Sequence, residues 1–533
     1  MIIRTKMPRS HALHEPIRHE GSHPRPVTRR DFLATGFAGS QALLIGSSAL
    51  LAAFTSTRAA RAATLDADIQ NLQSACGIVT NGAGKIPFIC FDLAGGANLT
   101  GSEILIGGKG GQLDFLSTAG YAKLGLPGNM LPNAGFINTA LGAAWHSDGA
   151  ILRGILSKTA TGTQANTNGV GIAANSQNDT QNNPHNPMYG IYDAGANGSL
   201  LSLIGTQPSD SGGNSMAPAA LINLAVRPTV VTQSSDVTGL VNTGQLGTMF
   251  TNSSDTAAVL ESTIRISGGS NPGSFDGKLG NVTLMPGDAT TDTSLKTTMR
   301  CGYVKSTVLV NQFGDPTTLN PDIDPQIVGS SGIFSTSDYT DPDFRMTAAV
   351  MKMVVNGFAG AGTITLSGFD YHDSTRATGE TRNFHAGQCI GACLEYAARM
   401  RKPLMVYVFS DGSLSSTGMA DSSAAGRGKF GWQGDNQATA NTFFLVYNPT
   451  GRPAAINATP NQIGAFTADG SVDMSSSPAA NAVNLLVNTV ILNYMALHGE
   501  QGSFASTIAN NGLGTNLDAL IAFAPIANGT IGT

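Results

Sequence analysis

Between residues 341 and 447 the spacing of apolar positions changes period several times. Residues 363–369 are short, β-branched and bounded upstream by Gly360 and Gly362, and residues 404–409 form an unbroken apolar run. Both patterns predict strands, the second buried on both faces as in a parallel sheet. Between them Phe384, Cys389, Cys393, Ala397 and Met400 recur at helical spacing. Arg399, Arg401 and Lys402 crowd the end where a helix dipole favours cations. Upstream, Asp341-Pro342 leads Phe344, Met346, Val350, Met353 and Val354, with Gly357 behind them. Cap, N1 proline and closing glycine stand in the order a helix requires. Helix, strand, helix, strand implies an α/β fold: a mostly parallel central sheet with helices on both faces and right-handed crossovers.

Other stretches extend this frame. Residues 86–91 are a compact apolar run that reads as a buried strand ending in Asp92, followed by Leu93-Ala94 and the turn Gly95-Gly96. The glycine pair serves either a sharp turn, the favoured reading, or the approach of backbone amides to an anion. Residues 442–447 are strand-like. Asp255 can cap a helix through Ala257, Leu260 and Ile264, and Ser477-Pro478 is expected to open one through Leu485, Leu486, Val490 and Leu497 that ends at Gly499. His498 there reads as a partner of the helix dipole. From 223 to 341 the pattern is least regular, so 145–340 is expected to be a loop-rich insertion or lid within a single domain spanning 63–533.

The N-terminus carries Thr28-Arg29-Arg30-Asp31-Phe32-Leu33, a mildly apolar run over 34–54 and the small-residue site Ala60-Arg61-Ala62. This is the pattern of a twin-arginine export signal over residues 1–62. A membrane anchor competes, because 33–54 is about long enough to span a bilayer; the glycine and serine interruptions and the Ala-x-Ala site favour cleavage. The expected product is periplasmic or secreted, meets the twin-arginine translocase during export and keeps no membrane span. Without residues 1–62 the chain has 471 residues, with 21 basic against 32 acidic side chains, which argues against nucleic acid as a partner.

Five histidines remain outside the signal: His146, His185, His372, His385 and His498. The five cysteines, Cys76, Cys90, Cys301, Cys389 and Cys393, are an odd number and do not indicate a disulfide framework. Cys389 and Cys393, one helical turn apart on the apolar stripe, read as buried thiols.

The chemistry-bearing residues gather just past strand ends, where ligands sit in open α/β sheets. Asp370 and His372 follow the 363–369 strand, and Ser410 and Asp411 follow the 404–409 run. If the chain stays extended through Tyr371, a carboxylate and an imidazole converge on one face, a pair able to bind a metal. His185 lies in a stiff polar loop over 175–190, as apt to be structural as functional. His146 is equally a hydrogen-bonder or a ligand, the 209–215 stretch reads as a plain turn, and 320–324 resembles half a calcium loop without its glycine and closing glutamate.

Three places together carry a family likeness: Phe91-Asp92-Leu93-Ala94-Gly95-Gly96, Gly368-Phe369-Asp370-Tyr371-His372 and Ser410-Asp411-Gly412. With the twin-arginine signal, the chain resembles exported domain-of-unknown-function proteins placed distantly in the alkaline phosphatase and sulfatase superfamily. That resemblance implies a parallel sheet whose strand ends hold one or two divalent metals, with Asp92, Asp370, His372 and Asp411 in the metal-binding places. It also implies cleavage of a phosphate or sulfate ester by a Ser, Thr or Cys nucleophile. The chain departs from the family pattern at Asp411-Gly412-Ser413-Leu414, where the family has Glu-Phe-Gly-Arg, at Asp435-Asn436 for Asp-His, and at Ala97-Asn98, where an acidic residue follows the glycines.

Two functions are therefore expected in competition. One is a metal-dependent ester hydrolase with Asp92, Asp370, His372 and Asp411 as ligands, His185 or Asp435 completing the sphere, Thr180 or Ser410 as nucleophile and a small anionic ester as substrate. Carboxylates with one or two imidazoles suit zinc, manganese, magnesium or calcium. The other is a non-catalytic periplasmic or surface protein that keeps the fold as a binding or assembly module. A carbohydrate-binding β-rich protein fits less well, with only two Trp to stack on sugars.

Overall fold

The computed structural model describes residues 65–78, 82–176, 183–241, 253–313 and 316–531. The expected signal, residues 1–62, and the candidate nucleophile Thr180 lie outside the described residues.

The centre is an eight-stranded sheet: β1 (Phe88–Gly95), β2 (Thr167–Ala173), β3 (Leu201–Gly205), β4 (Thr229–Val230), β5 (Ala359–Phe369), β6 (Leu404–Ser410), β7 (Asn441–Tyr447) and β8 (Gln462–Ile463). Their spatial order is β8-β2-β7-β6-β1-β5-β3-β4. Only β7 runs against the others, pairing antiparallel with β6 and β2; β1 lies parallel between β5 and β6, with Phe88 opposite Ala361 and Met405. The chain is thus an α/β protein with a large, mostly parallel sheet, and the apolar runs at 86–91, 363–369, 404–409 and 442–447 fall on four of its strands.

Alternation along β1 divides the core. Ile89, Phe91 and Leu93 pack on the face covered by α5 (Pro342–Val355), α6 (Ala377–Arg399) and α2 (Ala150–Lys158). Phe88 and Cys90 pack on the other, under α7 (Val483–Leu497). Burial of apolar area at roughly 25 cal/mol per Å² makes these two layers the main source of stability. Asp341 caps α5 as expected, its side chain accepting from the Asp343 N–H.

The irregular stretch holds two further helices, α3 (Ser253–Ser267) and α4 (Ala289–Phe313), which pack with α1 (Ala67–Ala75) around Leu72, Ile264, Tyr303 and Val304. Cysteine counting argues against a disulfide framework, yet one bridge, Cys76–Cys301, ties α1 to α4. Cys90, Cys389 and Cys393 are buried free thiols. His498 corrects a second expectation. Burial, with Lys85 adding to it, pushes its pKa down to about 4, so the ring is neutral and its Nε2 accepts from the Ile86 N–H, which a cationic dipole partner would not do. Among the described residues no helix is long and apolar enough to cross a membrane.

Candidate functional site

The strand-end residues separate into two sets. β5 ends at Phe369, and the next three residues alternate: Asp370 and His372 face solvent while Tyr371 is buried. The carboxylate and imidazole converge, with His372 Nε2 2.9 Å from Asp370 Oδ1. Asp435 joins them from the end of the second strand of a hairpin, Leu414–Ala420 with Phe430–Asp435. One ligand atom from each of Asp370, His372 and Asp435 lies within 4.8 Å of the other two, so this group could hold a metal ion. It is exposed, with side chains of Asp370 and His372 66% and 42% accessible. The neighbouring Asn436 uses its side chain to accept from the Ala438 N–H and cap the next turn.

Asp92, Asp411 and His185 do not belong to that group. β1 does not end at Asp92 but continues to Gly95, which places Asp92 within the strand, opposite Thr365 and Phe409. By alternation its side chain shares the face of Phe88 and Cys90. It is fully buried, its Oδ2 accepting from the Asn214 and Ser215 N–H groups at 2.7 Å each and its Oδ1 from Ser215 Oγ at 3.2 Å. The 209–215 stretch is therefore more than a plain turn, since its amides hold a buried carboxylate. Asp411, also buried, accepts at Oδ1 from the Gly95 N–H at 3.0 Å and at Oδ2 from Asn214 Nδ2 at 3.4 Å. The anion that the glycine turn approaches is thus internal. Gly95 is obligatory for another reason: with φ at +138°, an added Cβ would fall 2.2 Å from the Asp370 nitrogen.

Burial, opposed by the Ser215 and Asn214 hydrogen bonds and reinforced by the charge of Asp411, pushes Asp92 up to about 7. His185 is buried, stacked on Phe409 with centroids 5.6 Å apart, its Nε2 2.8 Å from Ser176 Oγ. Burial lowers it to about 3, so it is neutral. Ser410 Oγ accepts from the Ala97 N–H at 2.9 Å and donates to the Leu93 carbonyl at 2.7 Å, which fixes this buried hydroxyl inside the sheet. His146 is structural: Nε2 meets the Met130 carbonyl at 2.8 Å and the ring stacks on Phe136.

Beneath the exposed group lies a buried polar layer. The Tyr371 hydroxyl donates to Asn383 Oδ1 at 3.0 Å, and Asn383 Nδ2 donates to Glu103 Oε1 at 2.9 Å. Alongside, Arg376 Nε and Lys429 Nζ reach Glu380 Oε1 at 2.9 and 2.8 Å, and the Arg376 guanidinium sits 4.4 Å from the Trp432 ring centroid. Burial and the charge of Glu380 raise Glu103 above the usual carboxylate range. The layer escapes sequence reading because Glu103 and Lys429 join it from far along the chain; the alternation around Tyr371 and the i,i+4 spacing of Arg376 and Glu380 were the local signals.

A second group that could hold a metal ion, Asp341, Asp343 and His385, is half-buried at the start of α5, where sequence reading gives Asp341 only its capping role. His385 Nε2 lies 3.1 Å from Asp343 Oδ2, and its ring stacks on Phe344. Comparison of the sequence with protein-family models and with curated proteins finds no match.

Proposed function

We propose that the chain is an exported protein that holds a divalent cation at Asp370, His372 and Asp435 and serves as a binding module, on a frame like that of the alkaline phosphatases and sulfatases. The observation that carries this reading is the division of the candidate ligands: three at a solvent-facing rim, and the acids Asp92 and Asp411 sealed beneath it against protein donors. Two carboxylates and an imidazole are a fitting donor set for zinc, manganese, magnesium or calcium. Three protein ligands leave coordination positions for an anionic group of a partner. The Cys76–Cys301 bridge supports export, because such bonds persist in oxidising compartments.

The test is elemental analysis of the mature protein, followed by titration with each of the four ions. The wild type is expected to bind one equivalent at the rim, and Asp370→Ala, His372→Ala and Asp435→Ala each to lose it. Unchanged metal content in these variants removes the assignment.

Ester hydrolysis is the second reading, favoured by one observation: Asp92 and Asp411 form a pair of neighbouring carboxyl groups beside the Gly95 turn, both bonded to Asn214, and such pairs serve general acid–base chemistry. A bound cation would polarise a phosphoryl or sulfuryl oxygen. The candidate nucleophiles are Thr180 and Ser410, the latter with its hydroxyl bonded to the Ala97 N–H and the Leu93 carbonyl. Aryl phosphates and sulfates offered with each ion decide the matter; turnover lost in both Asp92→Asn and Thr180→Ala establishes hydrolysis, and no turnover with a loaded rim excludes it for those esters.

A further inference from the structure

We infer that Tyr371 is a positioning residue for the cation rim, through a buried chain that runs Tyr371–Asn383–Glu103. The inference rests on the reading that Asp370, His372 and Asp435 hold an ion.

Tyr371 stands between two of the three ligands in sequence, and its side chain points the opposite way, into the protein, where 2% of it is accessible. Whatever fixes its ring and hydroxyl therefore fixes the backbone from which Asp370 and His372 project. Three constraints do so. The hydroxyl is tied to Asn383 on α6, and Asn383 to Glu103, whose other oxygen accepts from the Ile151 N–H at 2.9 Å at the start of α2. The ring lies 6.1 Å from that of Phe369 and 6.5 Å from that of Trp432. Gly379 seats both aromatics, since an added Cβ would fall 2.9 Å from Tyr371 Cε2 and from Trp432 Nε1.

Trp432 extends the same control to the third ligand. It lies three residues before Asp435 on one strand, its N–H donates to the Thr375 carbonyl at 3.0 Å, and its carbonyl accepts from the Ser374 N–H at 2.8 Å. The segment that follows His372 is thus stitched to the strand that carries Asp435. An exposed group of three ligands would otherwise lose much of its affinity to the ordering of its side chains. A buried tyrosine that holds two of them and abuts the support of the third removes part of that loss.

The experiment titrates the full chain with Mn²⁺ and follows broadening of the His372 ring signals in NMR, identified by their absence in His372→Ala. Tyr371→Phe keeps the ring and removes the hydroxyl. It is expected to weaken Mn²⁺ binding by about tenfold, the lower end for supporting residues around a metal. Asn383→Ala should weaken it comparably, and the double variant no more than the worse single one, because the two act as one chain. Val487→Ala, a cavity on the opposite core face, serves as the control: it should lower the melting temperature and leave the affinity at the wild-type value. Wild-type affinity in Tyr371→Phe, or equal weakening by Val487→Ala, overturns the positioning role. Failure of the wild type to bind any of Mn²⁺, Zn²⁺, Mg²⁺ and Ca²⁺ removes the ion reading, and this inference with it.

Discussion

Asp92 and Asp370 are both aspartates near the carboxyl edge of one sheet, yet their surroundings give them opposite chemistry. Asp370 stands exposed to water, its Oδ1 2.9 Å from His372 Nε2. Asp92 is sealed, receives two backbone N–H groups and a hydroxyl, and still holds its proton up to about pH 7 because burial outweighs those bonds. In the unfolded chain the same group titrates near its ordinary 3.8. Between those values the folded state binds the extra proton, so the contribution of Asp92 to stability declines as pH rises through the window, by on the order of 4 kcal/mol once it is ionised. The buried histidines act in the other direction. His185 at about 3, and His146 and His498 at about 4, all lie below the ordinary 6.5, so their contribution is full above that pH and is lost as pH falls below it. Asp92→Asn is therefore expected to gain on the wild type at pH 8 and to lose that advantage at pH 5, measured by urea unfolding at both. Parallel pH profiles for the two proteins would show that Asp92 is not protonated in the fold.

Helix α4 shows what a helix can hide from sequence. Its inward face begins with Asp292, Lys296 and Arg300, the first two paired with each other and the third bonded to the neighbouring loop. Lys296 pairs with Asp292 at 2.7 Å, and the Arg300 guanidinium donates to the carbonyls of Asn271, Pro272 and Ser274. Only from Tyr303 onward does the apolar stripe begin, so hydrophobic periodicity cannot find the first half. Helix α6 is a milder case. Its apolar stripe becomes legible at Phe384, but the helix starts at Ala377, because its first turns bury Glu380 and Asn383 in polar pairs. By contrast α5 has a cap, a proline and an apolar face in agreement, and is legible throughout. The bridge from Cys76 to Cys301 belongs to this scale. The nine-residue α1 is too short to hold as a helix on its own, and the bridge fastens it to α4. Cys76→Ser with Cys301→Ser is expected to cost about 2–5 kcal/mol in urea unfolding, with proteolysis between residues 65 and 78 appearing first. Equal stability with α1 still protected would show that packing on Leu72 and Ile264 suffices.

Across the whole molecule, the strands of the sheet's centre were legible, because buried parallel strands leave apolar runs. The partition of the candidates was not. Whether Asp92 lies at the mouth or within the sheet turns on β1 extending through Leu93 and Ala94 to Gly95, and whether Ser410 is free depends on two backbone groups over 300 residues away. Sequence spacing carries no record of either. The pairing of β1 has one more consequence, which concerns time. Phe88 meets Ala361 and Met405, so the first strand made is the central one, and its two neighbours leave the ribosome last of the three. A polypeptide threaded outward during synthesis would present that apolar strand alone to a new compartment, with nothing to pair against. Only once residue 410 has emerged can β1 find both of its neighbours, so this apolar strand waits unpaired through most of synthesis and is the segment most open to non-native association.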